Sequence, residues 1–187
     1  MMLSLLIAVP LIGALVVALL PRTVDAVLPR YVAVAVSLLT LVMSLALLAR
    51  FDIESGGYQL TEEYEWIGAI GAHWALGVNG IGLTMIFLVT VLVPIVLLAS
   101  WRDKEDDPAG TNSYFALMLV LEALAIGVFA ATDVFTFYVL FEATLIPIYF
   151  LIGGHGTGQR SYAAVKFLVY NLVGGLLMLA SVVGLYV

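Results

Sequence analysis

Three ionisable side chains stand inside long apolar runs of this sequence: Glu122 within LMLVLEALAIG, Glu142 within FYVLFEATLIP and Lys166 within SYAAVKFLVY. An acidic group at the centre of a membrane helix costs on the order of 2.5–3.5 kcal/mol on insertion scales, so such groups usually face protein or water and mark ion or proton pathways. Capture and release of protons is the chemistry these residue types offer. The structural alternative is a protonated or hydrogen-bonded carboxyl that only packs.

The spacing of the two glutamates adds a geometric expectation. Only a few residues around Thr132 and Asp133 separate their apolar runs, so the two helices must be antiparallel neighbours. Each glutamate lies about ten residues from that turn, which places both roughly 15 Å deep at the helical rise. If they face each other, burial and like charge together make proton exchange near neutral pH possible. Pro147, five residues after Glu142, cannot donate to the carbonyl of Ala143. A kink there would free an acceptor beside Glu142, with Thr144 and Tyr149 at hand, or it is an ordinary membrane-helix proline. Lys166 enters only about one turn into its span, roughly 10 Å from the level of Glu142, so a direct salt bridge is not expected. It reads either as a water-linked relay or as a stem snorkelling to the headgroups.

The elements that position these groups follow from composition. Of 187 residues 64% are hydrophobic and 11% charged, with a mean hydropathy of +1.16, far from the balance of a water-soluble domain. Runs long enough to cross a bilayer occur at about 2–20, 31–49, 77–101, 113–131, 133–153 and 163–187. The expected fold is therefore an all-α, polytopic membrane protein with about six transmembrane helices in a single domain. The first run lacks a basic flank and contains Pro10, so it reads as a retained span rather than a cleaved leader.

Arg22, Arg30, Arg102, Lys104, Arg160 and Lys166 fall on one side of these spans, while Arg50 and the acids Asp52, Glu54, Glu62, Glu63 and Glu65 fall on the other. Basic loops face the cytoplasm, so both termini are expected outward, on the periplasmic side. Tyr64, Trp66, Trp74 and Trp101 lie near span boundaries, as an anchoring aromatic belt would. Asp133 reads as a helix N-cap, His155 as a loop residue, and Gly174 with Gly175 as a place of close helix contact. With no Cys and two separated His, no metal or haem site is expected, and without a basic stripe no nucleic-acid partner is expected.

The segments FYVLFEATLIPIYFLIGGHG and RSYAAVKFLVYNLVGGLLML, with GVNGIGLTMIFLVTVLVPIVLLASW before them, resemble the antiporter-like membrane subunits (subunit M, chain 4) of proton-pumping NADH:quinone oxidoreductase, respiratory complex I. The resemblance implies a multi-pass proton-translocating subunit of a bacterial inner (plasma) membrane. In such a complex NADH, FMN, iron–sulfur clusters and quinone are held by partner subunits, and none is expected in this chain. Partners would be the other membrane subunits and the lipid bilayer. Glu142 matches the key glutamate of the family, the expected proton carrier, and Lys166 a lysine common in bacterial versions. Glu122 is carried as a possible relay on its depth alone. The chain departs from the pattern at Phe141, Asn79 and Gly82, where the family often has Trp, Asp and Ser. Members of the family continue into further helices that supply a lysine opposite the glutamate, so this sequence is expected to be the amino-terminal part of a longer subunit. A sodium/proton antiporter subunit and a non-pumping structural subunit are the alternative readings.

Overall fold

The computed structural model describes residues 1–21, 27–67, 72–101 and 108–186. Arg22, Arg102 and Lys104 lie outside the described residues, as does the side chain of Trp66. The described residues form six helices: α1 Met2–Leu19, α2 Leu28–Leu48, α3 Gly80–Ala99, α4 Pro108–Ala130, α5 Val134–His155 and α6 Arg160–Tyr186. All six are long and apolar enough to cross a membrane.

The all-α expectation needs one correction. Residues read as a polar loop form a hairpin, β1 Gln59–Ile67 paired antiparallel with β2 Ala72–Val78, in a register that sets Tyr64 opposite Trp74 and Glu65 opposite His73. The third apolar run was expected to open at residue 77. Residues 77 and 78 instead finish β2, and α3 begins at Gly80 because the Asn79 side chain accepts from the Gly82 amide at 2.8 Å. An Asn at the N-cap satisfies one of the amides a helix start leaves open. Tyr64 and Trp74 are thus a cross-strand pair of this hairpin. Trp101, at the other end of the bundle, packs edge-on against Tyr31 at 5.0 Å between ring centroids.

The hairpin closes one end of the helices. Leu76 and Val78 are fully buried beneath it. The Thr132 amide, in the turn between α4 and α5, donates to the Ala75 carbonyl at 3.0 Å, and the Thr136 hydroxyl donates to the His73 carbonyl at 2.6 Å. Glu62 of β1 reaches the start of α1, where it accepts from the Leu3 and Ser4 amides at 2.8 and 3.2 Å and from the Ser4 hydroxyl. The Met1 ammonium lies 2.5 Å from the same carboxylate. Burial alone would raise the Glu62 carboxyl. The ammonium, the Ser4 hydroxyl and the two amides outweigh it and hold the group below its ordinary value.

α4 is the central helix, packed against α1, α2, α3 and α5. Two apolar clusters lie along it. Near the hairpin, Leu3, Leu6 and Ile7 meet Leu47, Leu83, Ile86 and Ile126. Toward the other end, Ala14 and Val17 meet Ala33, Leu97, Phe115 and Leu119. Lipid tails are as apolar as these side chains, so the clusters favour association through fit rather than through escape from water. Gly13 shows how close that fit is, since a Cβ there would come within 2.5 Å of Val36 on α2. α6 stands apart from this core and packs on α5.

Candidate proton-handling site

Glu142 is carried by α5, whose start is fixed by Asp133 as the sequence leads one to expect: its carboxylate accepts from the Thr136 amide at 2.9 Å. The helix runs unbroken through Pro147 to His155. The Thr144 hydroxyl donates to the Phe141 carbonyl at 2.6 Å and so does not serve Glu142. The Glu142 side chain turns toward α6, where its carboxyl fills the hollow a side chain at Gly175 would occupy. Its Oε1 is buried there without a hydrogen-bond partner among the described residues. Gly175 is therefore the cradle of this carboxyl and not only a close-packing residue. Gly174 meets nothing where its side chain would stand.

Glu122 lies on α4 and is 0% exposed, and neither of its oxygens has a hydrogen-bond partner among the described residues. Its depth is close to that of Glu142. Gly127 of α4 meets Leu140 of α5, and two residues further along antiparallel α5 the level on α4 is near residue 125, so the two glutamates differ in depth by about 5 Å. They do not face each other. At about 100° per residue, Glu122 stands about 140° around α4 from the Gly127 side that meets α5. It shares the stripe of Phe115, Leu119 and Ile126, whose cluster neighbours come from α1, α2 and α3. No hydrogen bond joins the two carboxyls, because neither Glu122 oxygen makes one.

Lys166 is exposed on α6 between two tyrosines, its ammonium 5.9 Å from the Tyr162 ring centroid and 6.0 Å from that of Tyr170. Nine residues separate it from Gly175, about two and a half turns, which puts it on the opposite face of α6 from the Glu142 cradle. The structure does not bring Lys166 and Glu142 together. His155 is the last residue of α5 rather than a loop residue, with its ring 5.3 Å from that of Tyr114 and its Nε2 3.3 Å from the Ser113 hydroxyl oxygen. No group of three or more His, Cys, Asp or Glu able to hold a metal is found among the described residues.

Gly175 and Glu62 are the positioning residues the sequence did not single out for these roles. A glycine pair in an apolar helix signals close approach without naming the occupant, and Glu62 is separated from its α1 amides by 58 and 59 residues.

A family model described as NADH:quinone oxidoreductase/Mrp antiporter, TM, matches residues 131–187, the stretch that holds Glu142, Lys166 and Gly175. Over 99% of its length the chain is 44% identical to NADH-quinone oxidoreductase subunit M of Mycobacterium tuberculosis. This chain is a homologue of NADH-quinone oxidoreductase subunit M. It is also 39% identical to subunit M of Rhodobacter capsulatus across 99% of its length. It spans 38% of the first of these proteins and 36% of the second. Among solved structures, respiratory complex I from Thermus thermophilus with bound NADH contains a chain that superposes with a TM-score of 0.80 at 29% identity, over 98% of this chain and 35% of that one. The Mrp complex from Dietzia sp. DQ12-45-1b shares the fold, with a TM-score of 0.80 at 23% identity.

Proposed function

We propose that this chain forms part of the antiporter-like, proton-translocating membrane subunit of an NADH:quinone oxidoreductase. In this reading electron transfer from NADH through FMN and iron–sulfur clusters to quinone takes place in partner subunits. This chain carries protons and binds none of those groups. The complex lies in a bacterial plasma membrane, with the hairpin on the periplasmic side.

The observation that carries the reading is the seating of Glu142: a carboxyl well inside a membrane helix, lodged in a glycine hollow between α5 and α6, with one oxygen lacking a partner among the described residues. Ionisable side chains placed inside membrane helices usually face protein or water and mark ion or proton pathways. The carboxyl takes its proton at the open oxygen and gives it up when a cation or water approaches. Such a cation belongs to a part of the protein outside this chain. Lys166, on the far face of α6, acts on Glu142 only through its charge.

In the full-length protein, Glu142→Gln keeps the shape of the side chain and removes its titration. NADH-driven proton uptake into vesicles is expected to be lost while the complex still assembles. Unchanged proton uptake would sink the proposal. The matching family model is described for Mrp antiporters as well as NADH:quinone oxidoreductase, which keeps a sodium/proton antiporter reading in view, and sodium-dependent proton flux in vesicles without NADH is the assay that separates the two.

A further inference from the structure

The face of α4 that carries Glu122 is apolar at both ends and polar in between. Leu119 belongs to one apolar cluster and Ala123 and Ile126 to the other. At the boundary between those clusters the neighbouring helices present hydroxyls instead of hydrocarbon. Ser37, Thr40 and Ser44 of α2 and Thr90 of α3 are all buried.

Two contacts fix the level of this polar zone. Gly82 of α3 packs so tightly on α4 that a Cβ would lie 2.9 Å from the Phe129 carbonyl oxygen, and at the other end of the same pair Ser100 Oγ is 2.8 Å from the Tyr114 hydroxyl. The helices are therefore antiparallel. Thr90, eight residues beyond Gly82, is about 12 Å deeper and level with residue 121 of α4, within one residue of Glu122. Ser44 joins that level directly, since its hydroxyl is 2.8 Å from that of Thr90.

Donors are short at this level. The two hydroxyls carry one proton each but enter three contacts: with each other, with the Leu41 carbonyl at 2.8 Å and with the Phe87 carbonyl at 3.0 Å. Pro94 lies four residues after Thr90 and has no N–H, so the Thr90 carbonyl loses its helical donor. Both oxygens of Glu122 stand without a hydrogen-bond partner among the described residues. A zone so rich in acceptors and so poor in donors matches water, which brings two donors and requires two to four polar partners.

We propose that Glu122, the Ser44 and Thr90 hydroxyls and the Thr90 carbonyl form an internal water-binding acid site within the α1–α4 bundle, separate from the Glu142 site. The site holds one or two waters against the Glu122 carboxyl and lets its proton exchange. Ser37 and Thr40 continue the polar stripe along α2 toward the end of the bundle opposite the hairpin, about 10 Å from Ser44 at the helical rise. The site depends on packing within α1–α4 alone and stands whether or not Glu142 pumps protons.

Hydroxyl-radical footprinting in native membranes tests it, because X-ray radiolysis of a bound water oxidises the side chains beside that water even when bulk solvent is excluded. With the intact full-length protein, mass spectrometry should find Leu119 and Pro94 oxidised several-fold more than Leu3 and Leu97, which are equally buried in the apolar clusters. Glu122→Leu should remove that excess and Glu122→Gln should keep it. The Ser44→Ala, Thr90→Val pair, which leaves Glu122 in place, should reduce it. Oxidation of Leu119 and Pro94 no higher than that of Leu3 in the wild type would overturn the proposal, as would an excess that survives Glu122→Leu.

Discussion

Glu122 and Glu142 stand at nearly one depth on adjacent helices, yet they are held in different ways. Glu122 is sealed in the four-helix bundle of α1–α4, with buried hydroxyls on α2 and α3 at its level. Glu142 lies in the pair α5–α6, against Gly175 of α6, a helix with far less of its surface buried. Depth alone does not define a proton site. The direction of the side chain decides which helices can answer a change in its charge: Glu122 stands well over a right angle around α4 from the side that meets α5, and Glu142 turns toward α6.

The strongest way to break this comparison is to fill the hollow at Gly175. Gly175→Leu would push the Glu142 carboxyl out of its cradle and leave the Glu122 surroundings untouched. Proton translocation by the full-length protein is expected to fall by about tenfold or more, since displacement of a reacting group by an ångström or so is enough for losses of that order. Translocation at the wild-type rate would show that the cradle has no bearing on Glu142. Thermal unfolding of Gly175→Leu should stay close to wild type, because α6 contributes little to the buried core.

Glu62 tests the other region. Glu62→Ala removes the acceptor for the Leu3 and Ser4 amides, and loss of such a cap costs about 1 kcal/mol. The expected result is faster amide hydrogen exchange at the start of α1, with no change in α6. The pH dependence has a defined sign. The Glu62 carboxyl is held below its ordinary value in the folded protein, so its contribution is present in full above the ordinary value of about 4.5 and fades as pH falls through the lower folded value. Protection of the α1 start that stays constant from pH 6 to pH 3, on a scale of about one exchange half-life, would contradict it.

A smaller effect belongs to the hydroxyl pair. Replacing Ser44 by Ala removes one side of a contact within the membrane, where such bonds average about 0.6 kcal/mol. Unfolding of the full-length protein in detergent should shift by that amount and no more. Lys166→Ala should have the smallest effect of all on proton translocation, less than about twofold, because its charge stands on the face of α6 away from Glu142 and is screened wherever water reaches it. A tenfold loss would place Lys166 in the path.

The sequence made the helices legible for a simple reason: a span must be long and continuously apolar, so its signal is local. Asp133 was readable on the same terms, since an N-cap acts on amides two or three residues away. The hairpin was hidden because β1 carries Glu62, Glu63 and Glu65 close together, in the manner of a polar loop, and because β2 runs into α3 with only Asn79 between them. The depth of Glu142 and Glu122 followed from counting residues from a short turn. Their directions did not, because facing depends on which sides of α4 meet α5 and α1, and that is set by packing such as Gly127 on Leu140 and Gly13 on Val36. Gly175 became meaningful only when its occupant was visible.

A double-mutant cycle on proton translocation tests the separation of the two carboxyls most directly. Glu142→Asp shortens the side chain but keeps some activity measurable, and Glu122→Gln removes titration from the bundle. If the sites are separate, the fold-losses of the two single variants multiply in the double variant to within about 0.5 kcal/mol, as for residues that share no partner. A coupling of more than about 1 kcal/mol would show that the two carboxyls act as one unit and would contradict the account.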